Sequence, residues 1–358
     1  MDTTHEAGEN DRREATSLTV RPANDGDAQR WDSFVFAARD GTFYHRFGWR
    51  NLFRDIFGME PHYLVAERAG RLSGILPLVH QRSLLFGNAL ISAPFCIEGG
   101  PLASDAQSRD ALDRAAINLM NAVKADSLEF RSRVASRPGW AVRANIYATF
   151  ARPLSDDDEE NLLAIPRKQR AVVRKTLNGG LTSEVDQDTR QLFRVYSESL
   201  RNLGTPMFPR RYFVALHDVF GSDCDIVVVR EGKTAVSAVM NFYFKNTVLP
   251  HYGGGAKSAR RNGANDFLYW EVMRRAARRG CRRFDFGRSK AGTGPFAFKK
   301  NWGFEPQWLE YEYWLPPGAA LPEKNPNNPK YAPLITIWKK LPLPVANFIG
   351  PYLIGGLG

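Results

Sequence analysis

Cysteine is scarce in this chain: three in 358 residues, Cys96, Cys224 and Cys281, far apart and without a CxxC pair or a histidine at ligand spacing. That argues for a reducing compartment and against a zinc site. Long apolar runs are missing too, and with no window of about 18 uninterrupted apolar residues no transmembrane helix is expected. The opening MDTTHEAGENDRREATS has no apolar core of the kind a secretory signal needs, and residues 1–17 read as a disordered leader. There is no GxSxG elbow, no P-loop, no Ser/His/Asp arrangement and no metal-ligand cluster, which disfavours nucleophilic and metal catalysis.

What the chain has is apolar and aromatic content. Hydrophobic residues make up 43% and aromatics 12%, including eight tryptophans, which describes a chain that folds around a sizeable core. The net charge of +11 is uneven: between Arg260 and Lys300 twelve Lys/Arg face only Asp266, Glu271 and Asp285. The clustering, more than the total, marks a region able to attract an anion.

From Leu18 the pattern becomes regular. LTVRPA alternates as a strand, DGDAQRWDSFVFAA has helical spacing, and HYLVAERAGRLSGILPLV reads as a hairpin turning at Ala69-Gly70. A strand NALISAP, the pair Gly99-Gly100, a helix with Leu112, Ala115, Ala116, Leu119, Met120 and Val123 on one face, and a strand SLEFRSR follow. The second half repeats this order: hairpin DIVVVREGKTAVSAVMNFYF, strand TVLPHYGGG, helix ANDFLYWEVMRRAARRG, strand RRFDFG. Offsets between matching features drift from about 162 to 156, as an internal duplication produces. The second-copy helix sets Leu268, Tyr269, Val272, Met273 and Ala276 on one side and Arg274, Arg275, Arg278 and Arg279 largely on the other. Between the copies, DDDEENLLAIPRKQRAVVRKTLNGGL ends in a basic helix with Arg167, Lys168, Arg170, Arg174 and Lys175.

A hairpin, a strand ending at glycines, a helix starting there and a further strand form the core of an acyltransferase-type fold. A glycine-bearing turn before a helix can hold a phosphate on free N–H groups. In the second copy that turn is ARRNGAND, where Arg260 and Gly263 match the R/Q-x-x-G-x-G/A loop of GNAT acetyltransferases, with Arg261 beside them. Asn265 stands where the last small residue belongs.

The duplicated order, the inter-copy RKQRAVVRKTLNGGL and above all FDFGRSKAGTGPFAFKKNWGF followed by YEY resemble the FemAB/FemX family of non-ribosomal peptidyltransferases. The resemblance is nearest to the FemAB-like proteins of PEP-CTERM/exosortase and exopolysaccharide loci, and covers residues from about 18 to 315. It implies an α/β (α+β) chain of two tandem GNAT-like domains that forms an amide by acyl transfer to an envelope or exopolysaccharide precursor. No permanently bound cofactor is expected; the donor is aminoacyl-tRNA or acyl-CoA, and DNA is not a partner. The expected division is a leader 1–17, a first domain 18–165, a connecting helix 166–180, a catalytic second domain 181–315, a Pro-rich linker 316–332 and an apolar tail 333–358. The tail, interrupted by Lys339, Lys340 and prolines, either packs on the body or lies on a membrane surface, so the expected location is cytoplasmic or peripheral at the inner membrane.

The resemblance also assigns residues. In the family an F-K-x-x-[FW]-G lysine is catalytically important, and FKKNWG puts Phe298, Lys299, Trp302 and Gly303 on that pattern. A cation there would steady the oxyanion of acyl transfer. Tyr252 matches a tyrosine lining the acceptor channel, and Lys175 aligns with an arginine that binds the acceptor's phosphate, without the bidentate fork. Trp49 matches a first-domain tryptophan, but Arg50 and Asn51 follow it where the family has a lysine. That departure speaks against a UDP-linked peptidoglycan acceptor. From the residues alone, Asp285 either assists proton removal or pairs with a nearby arginine, and His251 is structural. Two other readings stand beside this one: an acyl-CoA-dependent acetyltransferase of an amino sugar, and a non-catalytic GNAT-fold module.

Overall fold

The structure, a computed structural model, describes residues 17–83, 87–322 and 332–356. The expected leader, apart from Ser17, and most of the Pro-rich linker lie outside the described residues. The chain divides into two units: one holds residues up to Arg143 with Glu310–Pro322, the other Ala144–Leu309 with the C-terminal segment.

The first unit begins with β1 (Leu18–Pro22), α1 (Ala28–Ala37) and α2 (Gly48–Phe57), then the hairpin β2 (Glu60–Arg68) and β3 (Arg71–Ser83). Ala69 and Gly70 make its turn, as expected. There follow β4 (Gly87–Ser92), β5 (Leu102–Ala103), α3 (Ala106–Ala122), β6 (Ser127–Phe130) and β7 (Ala141–Arg143). Asp105 caps α3 by accepting the Ser108 N–H at 2.7 Å. The helix buries Leu112, Ala116 and Met120 against Leu76, Leu78 and Leu90 of the sheet. The order is β1-β2-β3-β4-β6, antiparallel except for the β4/β6 crossover through α3.

The second unit opens with β8 (Tyr147–Thr149), β9 (Ala151–Pro153), α4 (Asp158–Leu163), α5 (Arg167–Leu177), β10 (Leu181–Asp186), α6 (Thr189–Leu203) and α7 (Arg210–Phe220). The repeated core comes next: hairpin β11 (Cys224–Glu231) and β12 (Thr234–Phe244), β13 (Thr247–Gly255), a single turn α8 (Ala259–Asn262), α9 (Ala264–Arg278) and β14 (Arg283–Asp285). Then come β15 (Ser289–Lys290), α10 (Gly294–Asn301) and β16 (Gln307–Trp308). The main sheet runs β10-β11-β12-β13-β14-β9, with β13 and β14 parallel, which reproduces the first unit's pattern; β15-β8-β16 form a small separate sheet.

Each sheet is completed by a distant strand. β17 (Tyr311–Trp314) enters the first unit between β6 and β7. Its Glu312 is fully buried, and the charge is met by Arg137 Nη1 at 2.6 Å and by the Ser136 and Arg137 N–H groups at 2.8 Å each. In the second unit β9 pairs with β14, closing that sheet with residues that precede the second copy. The units are therefore not the contiguous halves expected: residues 144–180 fold with the second copy, and 310–322 with the first. Alternation identifies a strand, but its neighbour is chosen by long-range pairing.

The tail is helical, α11 (Ala332–Lys340) and α12 (Leu343–Ile354), and packs on α6. Arg201 Nη1 donates to the Leu341 carbonyl at 2.8 Å, and Ala346, Gly350 and Ile354 face inward. No helix among the described residues is long and apolar enough to cross a membrane.

Candidate functional site

β13 and β14 are bonded only at Thr247↔Arg283 and Val248↔Phe284, after which β13 runs on to Gly255 while β14 ends at Asp285. Two parallel strands that part at their C-terminal ends leave a cleft, where open α/β sheets bind ligands. On β13 the pairing with β12 slips between Met240↔Tyr252 and Asn241↔Pro250, leaving His251 as a bulge. In the first unit the matching region is filled: buried Arg131 donates to the Cys96 carbonyl at 2.9 Å and to Glu129 Oε1 at 3.0 Å.

FAFKKN lies in a short helix, α10, with proline in its first turn, where a missing N–H costs nothing. Lys299 projects from it into the protein. Its Nζ donates to the carbonyls of Phe286 at 2.7 Å, Gly287 at 2.8 Å and Arg288 at 3.2 Å. Burial pushes its pKa down to about 7; Asp285 opposes that shift and Arg288 adds to it. An ammonium has three N–H groups, and all three are committed to the backbone just past β14. Lys299 thus clamps residues 286–288.

Asp285 is buried and pairs with no arginine among the described residues. Its Oδ1 accepts from Thr149 Oγ1 at 2.9 Å and from the Gly287 N–H at 2.8 Å, while Oδ2 has no hydrogen-bond partner among the described residues. His251 titrates far below its usual range, at about 3, chiefly through burial and further through Arg288 and Lys299. It is neutral at physiological pH. Phe298 and Trp302 pack on Phe286, and Trp302 is fully buried with its indole N–H on Asp266 Oδ1 at 2.9 Å.

Asp266 stands in the first turn of α9, in the phosphate-type turn itself. Gln169 of α5 also donates to it, and burial raises its pKa against both hydrogen bonds. Gly263, at φ +69°, occupies the backbone region that favours glycine, and a Cβ there would lie 2.7 Å from Thr176 of α5. The turn is thus covered by α5 and already carries a carboxylate. Asn265 ties to Ser237 Oγ at 2.7 Å. The glycines ending β13 allow close approach: a Cβ on Gly254 would meet Ser199 Oγ at 2.5 Å, and one on Gly255 would meet Asn265 Oδ1 at 2.4 Å.

The remaining expected residues are dispersed. Tyr252 is buried, its hydroxyl 2.7 Å from that of Tyr212 among Phe208, Phe213 and Phe242. Lys175 and Arg261 are exposed, and the Arg260 side chain lies outside the described residues. Trp49 is fully buried in the first unit, its indole N–H on the Phe43 carbonyl at 3.1 Å. Much of the basic excess in and just after α9 is consumed within the unit. Arg274 bonds Asp158 and Glu271, both at 2.8 Å; Arg282 reaches Asp156 at 3.2 Å, and Arg279 lies 3.8 Å from the Tyr243 ring centroid. On α5 only Arg174 pairs, with Glu159; Arg167, Lys168, Arg170 and Lys175 have no ion pair among the described residues. Sequence reasoning did not single out Thr149, Gln169 or Asp266 for roles in the site. An aspartate three residues past the turn glycine Gly263 was the one local signal.

A family model described as an acetyltransferase (GNAT) domain matches residues 167–300, from the start of α5 to just past Lys299. No curated protein matches the sequence significantly. Among solved structures the chain is similar to the crystal structure of FemX, at TM-score 0.62 and 15% identity over 82% of this chain and 96% of that one. It is also similar to a tandem GNAT protein from the clavulanic acid biosynthesis pathway, at TM-score 0.54 and 14% identity over 85% and 100%. A third is the C-terminal domain of a putative lysylphosphatidylglycerol synthetase from Agrobacterium fabrum, at TM-score 0.53 and 16% identity over 81% and 92%. The fold is therefore a mixed α/β tandem GNAT architecture. The residues that the acetyltransferase (GNAT) model matches lie in the second unit.

Proposed function

We propose that the second unit is an amide-forming N-acyltransferase, taking an aminoacyl group from a polyanionic donor of the aminoacyl-tRNA kind and passing it to an amine of a cell-envelope or exopolysaccharide precursor. The observation that carries the reading is the parting of β13 from β14 beyond Val248 and Phe284, with Asp285 and the Lys299 clamp at the parting. The acceptor nitrogen attacks the acyl carbon, the ester bond to the donor breaks, and the amine proton passes through Asp285 Oδ2 to the departing ribose oxygen. Lys299 acts through the backbone of residues 286–288, which it fixes, and is a positioning residue.

The choice of donor rests on α5. Thr176 against Gly263 and the carboxylate of Asp266 make the turn a poor cradle for the pyrophosphate of CoA, because a buried acid there competes with a phosphate for the same positive helix end. The unpaired Arg167, Lys168, Arg170 and Lys175 on the same helix suit a nucleic-acid backbone. The tail supports an acceptor held at a membrane: Leu334, Ile337, Phe348 and Tyr352 are exposed beside Lys339 and Lys340.

Titrating the purified chain with charged tRNA and with acetyl-CoA over a salt series tests the reading. Binding of charged tRNA that weakens steeply with salt, with labelled amino acid transferred to an amine, is the expected result. Saturable acetyl-CoA binding without tRNA binding would establish the CoA-dependent alternative, and no binding of either would leave a non-catalytic module.

A further inference from the structure

We propose that Glu60, His62 and His80, on the β2/β3 hairpin of the first unit, bind a zinc-type divalent cation. Glu60 and His62 are alternate residues of β2 and so share a face of the sheet. His80 of β3 is the cross-strand partner of Glu60. One ligand atom from each of the three lies within 4.8 Å of the others.

The hydrogen bonds around His80 fix which nitrogen is available. Asn88 Nδ2 donates to the Lys124 carbonyl at 2.6 Å, so the carboxamide orientation is set and its Oδ1 is the atom 2.6 Å from His80 Nε2. An oxygen acceptor there requires the proton on Nε2, even though Arg82 Nε also lies 3.4 Å from that atom. Nδ1 is left with its lone pair. His80 is only 2% exposed, and Nδ1 is buried with no hydrogen-bond partner among the described residues. An unsatisfied buried imidazole nitrogen costs stability unless something occupies it. A metal-bound histidine commonly has this arrangement, one nitrogen on the cation and the other N–H held by an oxygen.

His62 Nε2 is likewise buried without a hydrogen-bond partner among the described residues and lies 3.5 Å from Glu60 Oε1. That separation is long for a hydrogen bond. It is close to the roughly 3.3 Å between two ligands each about 2.0–2.1 Å from a tetrahedral zinc ion. Two imidazoles and one carboxylate suit zinc and its transition-metal neighbours better than magnesium or calcium, which prefer all-oxygen shells. Three protein ligands leave a fourth position for water or an anionic donor.

The test uses the untagged full-length chain, stripped with a chelator and titrated with Zn²⁺, with metal content measured after dialysis. One equivalent per chain is expected, and Co²⁺ in its place gives the visible bands of a tetrahedral site. Glu60→Gln and His62→Ala, both at positions that are not fully buried, each weaken binding by more than about 100-fold, and Asn88→Ala by about 10–100-fold. Circular dichroism of each variant checks that the sheet is intact. Absence of stoichiometric binding by the wild-type chain, or binding undiminished in the Glu60→Gln, His62→Ala double variant, overturns the proposal.

Discussion

Lys299 Nζ lies 2.8 Å from the carbonyl oxygen of Gly287, joining a side chain of α10 to the backbone where β14 ends. With the carbonyls of Phe286 and Arg288 it completes a three-bond clamp, and the clamp is what the candidate site depends on. Lys299→Met removes all three bonds while filling nearly the same volume. We expect kcat to fall about 100-fold, the size of effect that a 1 Å misplacement near the reacting atoms produces, while the donor KM stays within a few-fold. A matching rise in KM with kcat intact would instead make Lys299 a binding group.

The same lysine should leave a pH signature. Its folded pKa is lowered to about 7, below the value near 10.4 of an unfolded chain. Between those values the unfolded state holds more protons, so stability rises with pH from about 7 toward 10. Deprotonation also loosens the clamp, so activity declines above about pH 7 even as the fold gains stability. A lysine Cε resonance titrating near 7, present in wild type and lost in Lys299→Met, is the direct check.

Asp266 offers a stability prediction of opposite sign. Burial raises its pKa in the folded state, against the hydrogen bonds from Trp302 and Gln169. As pH rises through the unfolded value near 3.9 and on through the raised folded value, the unfolded state ionises first and stability is lost. Asp266→Asn keeps an oxygen for both donors and removes the buried charge. Denaturant melts should show the variant equal to or more stable than wild type at pH 7, with the difference shrinking as pH falls through that window.

The elements that local pattern specifies were legible in the sequence. The Ala69-Gly70 turn, the helix bearing Leu112, Ala116 and Met120, the repeated hairpins and the glycines ending β13 follow from periodicity and turn chemistry, and the duplication follows from them. The strands that complete each sheet were not legible in their placement. Nothing local in YEY says that Glu312 will sit between β6 and β7, because its partner Arg137 is 175 residues away. The arginines of α9 looked like an anion site only because Asp156 and Asp158 are distant in sequence and adjacent in space. Lys299 was found through its motif, but its three acceptors are backbone atoms, which no motif spells out. Glu60, His62 and His80 have no cysteine at ligand spacing to mark them; alternation along β2 and its hairpin register bring them together.

Charge reversal on α5 separates the donors. Arg167→Glu, Lys168→Glu and Lys175→Glu change exposed side chains without ion pairs among the described residues, so the melting temperature should move little. If the donor is a tRNA, affinity falls by at least tenfold at moderate salt, and the slope of log K against log[salt] drops by about one unit for each phosphate no longer neutralised. Unchanged tRNA affinity in the triple variant would remove α5 from the donor site. A gain of acetyl-CoA binding in the Asp266→Asn background would point instead to a turn that this carboxylate keeps closed to phosphate.

The tail makes the last prediction. Phe348 and Tyr352 are 72% and 78% exposed on α12, on a segment whose opposite side is anchored through Ala346, Gly350 and Ile354. Water-exposed rings held by a packed inner face are unfavourable unless the face is used. Moving one such ring into a lipid interface is worth up to about 1.5–3 kcal/mol, and each lysine near an anionic surface adds about 1 kcal/mol. Sedimentation with vesicles rich in anionic lipid should therefore capture the wild-type chain. Phe348→Ser with Tyr352→Ser should reduce capture at least tenfold without lowering the melting temperature, because neither ring supports the core. Lys339→Glu with Lys340→Glu should reduce it in a salt-dependent way. Equal capture of wild type by neutral and anionic vesicles would remove the electrostatic half of the argument, and failure to sediment with either would remove the membrane from the account of this face.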